Sequence, residues 1–498
     1  MGTCMSISVA QFPASGSSAS RLWPQQAVFA CIVGMAVFGA VLWAPAVLRD
    51  ADTLWHIAAG NWILAHRAVP GFDPFSFTAL GHPWVAHEWL SEVLLALAYD
   101  AAGWNGLMVL TASAAGLSAG IVSWYLRQHL RIDHALALVV LTVSCGEPSL
   151  LARPHLIALP VLTLWTVMLV SARTRGTAPS LVMLPLMTLW ANLHGGFLVG
   201  LVLAAALAAE AAFDPASRSG TSFRAWAIFI LGAVVASCLT PQGLDGLLFP
   251  FRLMSMKSLG DIQEWKPTDM SNLSGVTGSV LVALYIGLTG KLVLPKYRVL
   301  LLAVLLFATM QHVRNAQLFG IVAPLLIVTA SGSVRPAKTP EWLISLLVCL
   351  AAVVSLCFRV GYPLERADAD SFASAALASV PDTVRARPVL NEYAFGGLLI
   401  FSGIQPFIDG RADLYGDEGM QRYLSIVRGK ADVLEAVLCQ YNIGWTMFPP
   451  ASVVPEFMDR EPGWRRIYTD KLAIIHMRVS DDAGPGCRAE PTAQSGSD

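Results

Sequence analysis

"AVFACIVGMAVFGAVLWAPAVLRDADTLWHIAAGNWILAH", residues 27–66, decides how the remainder of the chain is read. No charged residue stands between Ala27 and Leu48, an uninterrupted apolar run long enough to cross about 30 Å of hydrocarbon as a helix. Arg49, Asp50, Asp52 and His56 then crowd its exit. Two carboxylates and an imidazole at the lipid boundary are costly to place there, so they mark a functional site by default.

The composition extends that reading to the whole chain. Of 498 residues, 55% are hydrophobic and 13% charged, where a soluble protein carries charge on roughly a quarter. Mean hydropathy is +0.58. Apolar runs predict an all-α polytopic membrane domain of eleven transmembrane helices, centred near 27–47, 106–126, 133–147, 155–172, 179–192, 196–212, 225–240, 274–290, 298–312, 316–332 and 341–358. The segment 87–102 is interrupted by Glu88, Glu92 and Asp100 and reads as an interfacial helix rather than a twelfth span. With 33 basic and 34 acidic residues, nothing marks nucleic acid as a partner. The eight cysteines are scattered without a CxxC pair, which implies neither a disulfide framework nor a zinc site. The opening MGTCMS matches a myristoylation pattern by coincidence. No cleavable signal peptide is expected, because the first apolar run is full length.

Basic residues set the orientation. Arg127 and Arg131, Arg173 and Arg175, Arg218 and Arg224, Lys291, Lys296 and Arg298, and Arg335 with Lys338 fall in alternate loops. Those loops and the tail 1–24 are expected in the cytoplasm. Of the fifteen Asp and Glu residues before position 361, all but Asp133, Glu210, Asp214 and Glu341 then lie on the outer side. His56, His66, His82, His87, His155, His194 and His312 join them.

The membrane domain thus covers 25–360, with a long first outer loop at 49–105, and a small periplasmic α/β domain follows over 361–480. In that domain "RPVLNEYAFGGLLIFSGIQPFIDGRADLYG" reads as strand, turn, strand, strand and loop. "DEGMQRYLSIVRGKADVLEAVLCQY" has helical periodicity, and "GWTMFP" and "KLAIIHMR" read as strands. The tail 481–498 reads as disordered. Asp409, Arg411, Asp413 and Tyr415 crowd a loop after a strand; Asp409 and Arg411 are expected to lock a turn, the alternative being that the loop contacts a ligand over the membrane site.

"TLWHIAAGNWILAH" is expected to lie on the membrane as a short amphipathic helix, with Asp52 as its N-cap and Asp50 paired to Arg49. The rest of the first loop, dense in Asp73, His82, Trp84, His87, Glu88 and Trp89, is too long and too varied for a connector. Other outer loops present Arg153 and His155, then Asn192 and His194 before Gly195 and Gly196, then Glu264, then His312 and Arg314. Each has a plain explanation as a cap, a turn or a snorkelling chain. Their concentration on one face points instead to a shared site, in which the two arginines suit a phosphate.

This layout resembles the GT-C superfamily of integral-membrane glycosyltransferases, which take sugars from polyprenyl-phosphate carriers. The string "DADTLWHIAAGNWIL…VPGFDPFSFTALGHPWVAHEWLSE" is similar to a bacterial subgroup assigned to that superfamily. The resemblance covers the chain in architecture, while its residue-level motif is only the acidic start of the first loop, here Asp50-Ala51-Asp52. It implies catalysis by Asp52 or Asp50, the former preferred because Arg49 neighbours Asp50. His56, His87, Glu88, Arg153, His155, Asn192, His194, Glu264, His312 and Arg314 are the expected substrate-binding set. A magnesium or manganese ion across Asp50 and Asp52 is left open. The implied partners are a lipid-linked sugar donor, a glycan, lipid or protein acceptor, and the lipids of a bacterial inner membrane. The competing reading is a flippase or transporter of lipid-linked saccharides, but mid-span positions are almost uniformly apolar, and a transporter needs polar groups there. A scaffold acting through the soluble domain leaves the acids and histidines of the loops unexplained.

Overall fold

The structure is a computed structural model that describes residues 19–213, 220–272, 274–288, 294–328, 342–362, 364, 366–368 and 372–479. The tail 481–498 and most of 1–24 lie outside the described residues.

Every apolar run read as a span falls on a helix. The first is α1 (Ala19–Leu42). A helix in the first loop is α2 (Asp52–His66), and α3 (Trp89–His129) follows. Then come Ile132–Gly146, Leu159–Thr174, Leu184–Leu193, Phe197–Phe213, Gly220–Ser237, Gly275–Leu288, Lys296–Gln311, Ala316–Val328 and Trp342–Gly361. Among the described residues, two helices are long and apolar enough to cross a membrane by length and composition, Gln25–Leu42 and Trp89–His129. Leu117, Val140, Val202, Leu231, Val304 and Val353 lie exposed on six different helices. So broad an exposed apolar surface is that of a membrane protein, not of a soluble one.

Two expectations change in the first loop. The segment read as a separate interfacial helix is the first arm of α3, joined to the second arm through a break at Ala102 and Gly103, where Gly103 has φ 57°. Helix α2 does not lie free on a membrane surface. It is wedged between α3 and the C-terminal region, with every residue from Asp52 to Ile57 buried. Gly60 of α2 meets α3 so closely that a Cβ would collide with the Glu92 backbone.

The C-terminal region forms a four-stranded sheet, β1 (Val389–Asn391), β2 (Trp445–Phe448), β3 (Trp464–Thr469) and β4 (Ile474–Arg478), in the order β1-β2-β4-β3. β1 runs parallel to β2, and β4 is antiparallel to both β2 and β3. Helices Ala412–Val427 and Ala431–Gln440 occupy the segment with helical periodicity. "GGLLIF", read as strand, is instead the helix Gly396–Phe401, and β3 was not anticipated. Cys439 is disulfide-bonded, against the expectation drawn from cysteine spacing.

The C-terminal region is not a free-standing module above the membrane domain. Leu54 of α2 shares a buried cluster with Val389, Phe395, Leu398, Trp445 and Met447. Trp55 and Ala59 share another with Trp84, Ala86 and Ile400. Asp417 accepts hydrogen bonds from the backbone N–H groups of Lys257 and Ser258 at 3.1 and 2.9 Å. The first loop and the 238–274 loop therefore form the floor on which the C-terminal sheet and helices stand.

Candidate functional site

The acids sit where α1 gives way to α2. The N-cap of α2 is Ala51, and the Asp52 N–H donates to Asp50 Oδ1 at 2.7 Å. Asp50 thus performs the capping expected of Asp52, which leaves the Asp52 carboxylate for other work. The arginine beside both acids is Arg153, not Arg49. Its Nε lies 3.3 Å from Asp50 Oδ1, and its guanidinium also pairs with Asp52 Oδ2 and, at 2.6 Å, with Glu264 Oε2. Backbone bonds explain why a loop so distant in sequence arrives here. The Ala152 N–H donates to the Val47 carbonyl at 2.9 Å, and Thr53 Oγ1 donates to the Ala152 carbonyl at 3.0 Å.

Arg153 is ringed by three carboxylates. Burial works against its charge, but Asp50 and Glu264 outweigh burial and hold its pKa above the ordinary value. Burial likewise opposes ionisation of Glu264, and Arg153 and Arg314 overcome it, pulling the carboxyl down to about 2. Arg314 lies 3.7 Å from Glu264 and stacks over the Trp265 ring at 4.4 Å. It is half-buried and its one carboxylate partner is Glu264 among the described ion pairs, so it remains the cation best placed to receive an anion.

A second cluster adjoins the first. Glu88 Oε1 lies 3.3 Å from His194 Nε2 and 3.6 Å from His87 Nε2, and Glu88 Oε2 lies 3.9 Å from His56 Nε2. His56 also faces Glu92 at 3.5 Å. Burial opposes charge on both members of the His87–Glu88 pair, yet their attraction wins. His87 is pushed up to about 9 and Glu88 falls below the usual carboxylate range. His194 goes the other way, to about 3, because burial and the nearby His155 and Arg314 outweigh Glu88. Its Nδ1 accepts the Gly196 N–H at 3.0 Å, which puts the proton of the neutral ring on Nε2, toward Glu88. His155 Nε2 donates to the Ser149 carbonyl at 2.8 Å.

Two predicted residues are held by hydrogen bonds within the chain. Asn192 Oδ1 accepts from Trp89 Nε1 at 2.8 Å, while its Nδ2 donates to the Thr188 and Leu239 carbonyls. With its amide engaged on both sides it pins the His194 loop. His312 donates through Nδ1 to the Trp265 carbonyl at 2.6 Å, which orients the ring on which Arg314 stacks.

The C-terminal region supplies further groups. Arg411 donates to Asp409 at 2.8 and 2.7 Å, so the expected turn lock exists. The same guanidinium reaches Asp73 of the first loop at 2.6 Å, making the pair a clamp across 338 positions of sequence. Tyr393 donates to the Gly410 carbonyl at 3.0 Å, and burial beside Asp409 raises its phenol. Asp413 is raised by burial, with His87 opposing. Gly410 itself lies against Asp52, where a Cβ would overlap Oδ1. Trp55 Nε1, His56 Nδ1 and Glu92 Oε2 are buried without a hydrogen-bond partner. His56 is in the expected substrate-binding set, whereas no sequence signal marked Trp55 and Glu92, because their isolation depends on what covers α2.

A divalent cation does not fit the acid pair as arranged, since both carboxylates are directed at Arg153. Among the described residues no group of three or more His, Cys, Asp or Glu side chains is placed to hold a metal ion.

No protein-family model matches the sequence. No curated protein matches it either. Among solved structures it is similar to the apo form of the Archaeoglobus fulgidus oligosaccharyltransferase, at 12% identity and a TM-score of 0.38, over 85% of this chain and 69% of that one. A likeness of that degree assigns neither family nor activity.

Proposed function

We propose that this chain is an inverting membrane glycosyltransferase that moves a sugar from a polyprenyl-phosphate donor to an acceptor hydroxyl. The observation that carries the reading is Asp52, set at one end of an apolar helical body with Oδ2 on Arg153 and Arg314 nearby across Glu264. Displacement at an anomeric carbon needs a group to take the acceptor proton and a cation to stabilise the leaving phosphate. Asp52 Oδ1 takes the proton as the acceptor oxygen bonds to the anomeric carbon. The bond from that carbon to the phosphate oxygen breaks, and the lipid phosphate leaves with the electron pair.

The two arginines divide the labour. Arg153, compensated by three carboxylates, orients Asp50, Asp52 and Glu264. Arg314, held flat on Trp265, receives the phosphate. His155 and neutral His194 line the same region and offer hydrogen bonds to sugar hydroxyls. The eleven helices that coincide with the apolar runs are proposed as spans, with the N-terminus cytoplasmic and the C-terminal domain periplasmic in a bacterial inner membrane. Alternating basic loops support that orientation, as does a bonded Cys439 in a region assigned to an oxidising compartment.

The test is donor consumption. The chain reconstituted in liposomes is offered undecaprenyl-phosphate-linked glucose, mannose, galactose and arabinose, and release of undecaprenyl phosphate is followed. Release from at least one donor is expected. Failure of all four to bind or react would contradict the assignment.

A further inference from the structure

Both stretches read from sequence as interfacial helices pack within the chain, and a third helix has the pattern they lack. Leu244–Met254 lies between the helices Gly220–Ser237 and Gly275–Leu288. Its 11 residues rise about 16 Å, about half of what crosses the hydrocarbon of a bilayer. Gly246 and Phe249 are buried on one side of it. Leu244, Leu248 and Phe251 recur at i, i+4 and i+7, which sets them together on the opposite side. With Met254 they are between 50% and 67% exposed. Charge stands at one edge of this apolar face, where Arg252 donates to Asp245 at 2.6 Å and the two charges cancel.

Continuity says what covers the face. Ile228, Leu231 and Val235 are exposed at i, i+3 and i+7 on Gly220–Ser237, and the exposure continues at Leu239. A tight turn follows, in which the Gly243 N–H donates to the Thr240 carbonyl at 3.0 Å, and Leu244 opens the next helix. The medium that solvates the exposed stripe of the proposed span therefore reaches the exposed stripe of Leu244–Met254. An apolar stripe bordered on one edge by a self-neutralised ion pair suits a boundary between acyl chains and headgroups. The pair is satisfied within the helix, so the face calls for no charged partner.

We propose that Leu244–Met254 is an in-plane membrane helix, with Leu244, Leu248, Phe251 and Met254 inserted among phospholipid acyl chains and the Asp245–Arg252 pair at headgroup level. The proposal rests on the membrane reading of the apolar runs and is independent of the sugar chemistry. The buried side of the helix ties this lipid surface to the polar cluster. The Phe249 ring lies 4.3 Å from the His87 ring. A Cβ at Gly195 would stand 3.4 Å from His87 Cδ2 and 3.7 Å from Pro250 Cγ. Gln242 Nε2 donates to the Ala86 carbonyl at 2.9 Å, next to His87. Lipid thus packs one side of a helix whose other side seats His87 and the loop after His194.

The test is photocrosslinking of the full chain in nanodiscs of palmitoyl-oleoyl phosphatidylcholine. The photoreactive residue p-benzoylphenylalanine replaces Leu248 or Phe251, and in controls Leu231 on the proposed span or the exposed Val453 of the C-terminal domain. Phospholipid adducts are read by mass spectrometry of the peptides after irradiation. Adduct yields at positions 248 and 251 are expected within about threefold of that at 231, and at least about tenfold above that at 453. Adducts at 231 but not at 248 and 251, a yield at 453 equal to theirs, or crosslinks to a second copy in place of lipid would overturn the proposal. If position 231 gives no adduct either, the membrane reading of Gly220–Ser237 falls and the proposal falls with it. Where a substituted chain fails to fold, the unsubstituted chain is irradiated in nanodiscs containing a phosphatidylcholine with a diazirine on its acyl chain. Labelling of Gly220–Ser237 without labelling of Leu244–Met254 then overturns the proposal, and labelling of both supports it.

Discussion

Replacing Arg411 by methionine removes a cation that joins the first loop to the C-terminal domain through a fully buried contact. The Arg411 side chain is 1% exposed, and the Asp409 and Asp73 side chains it pairs with are each at 0%. It makes three charged side-chain hydrogen bonds, two to Asp409 and one to Asp73. Methionine fills much of the same volume, so cavity formation contributes little, and the dominant cost is two carboxylates left without a countercharge. Breaking a buried pair in this way costs about 3–5 kcal/mol, which is roughly two to three and a half powers of ten in a local opening equilibrium. Hydrogen exchange read by mass spectrometry in detergent measures that opening. Peptides spanning 71–86 and 404–416 should exchange faster by that factor, while peptides of α1 and the second arm of α3 stay unchanged. Adding Asp73→Asn to Arg411→Met should recover part of the protection, because one uncompensated charge is removed. Arg252→Met is the control, since its pair with Asp245 is exposed and such pairs contribute at most about 1 kcal/mol. Acceleration of less than tenfold in both peptides, or an equal effect from Arg252→Met, would refute the view that the first loop and the C-terminal domain are one structural unit.

Three further outcomes are expected. His87 titrates at about 9 because Glu88 outweighs burial, so its folded pKa lies above the unfolded 6.5 and its stabilisation is complete below pH 6.5 and lost as pH rises through 9. The thermal midpoint of the wild type should therefore fall between pH 6.5 and 9 more steeply than that of His87→Gln, and parallel curves would exclude the pair. Gly410→Ala places a Cβ where Asp52 Oδ1 now lies, so donor turnover should drop more than about tenfold with hydrogen exchange of the C-terminal sheet unchanged. Retained activity would show that the approach of Gly410 to Asp52 is not a feature of the working site. Arg314→Ala should raise the donor KM by about ten- to a hundredfold, the range for a charged hydrogen bond to phosphate, whereas Arg314→Lys should restore part of it. An unaltered KM would move the phosphate elsewhere.

The helices were legible because long apolar runs have few alternatives to helix in lipid. The convergence of Arg153, His194, Glu264 and Arg314 was legible for a related reason. Once the helices alternate in direction, every second loop must share an end of the bundle, so charged residues from distant parts of the sequence become neighbours. The geometry within that end was not legible. Asp52 reads locally as a cap, but Asp50 holds that role since the chain enters α2 with Ala51 as N-cap. Helix α2 reads as amphipathic, yet Leu54 and Trp55 face the C-terminal domain, and periodicity alone cannot distinguish a lipid from a protein cover. "GGLLIF" reads as strand because glycines interrupt it. Tertiary packing overrides that signal, since Gly396 and Gly397 let the helix approach the Asp409 turn and the Ala51 carbonyl. The reach of Arg411 to Asp73 has no local signature, because the turn with Asp409 satisfies the sequence pattern by itself.

The most direct test of the central claim is the rate of undecaprenyl phosphate release by Asp52→Asn, measured against wild type and Asp50→Asn at matched folded yield. Asparagine keeps the size of the side chain but cannot take a proton from a hydroxyl. Asp52→Asn is predicted to lose at least about a hundredfold in kcat, the low end of what a general base contributes. Asp50→Asn, which still accepts the Asp52 N–H, is predicted to lose less. An Asp52→Asn enzyme turning over within about threefold of wild type would contradict the assignment of Asp52 as the base.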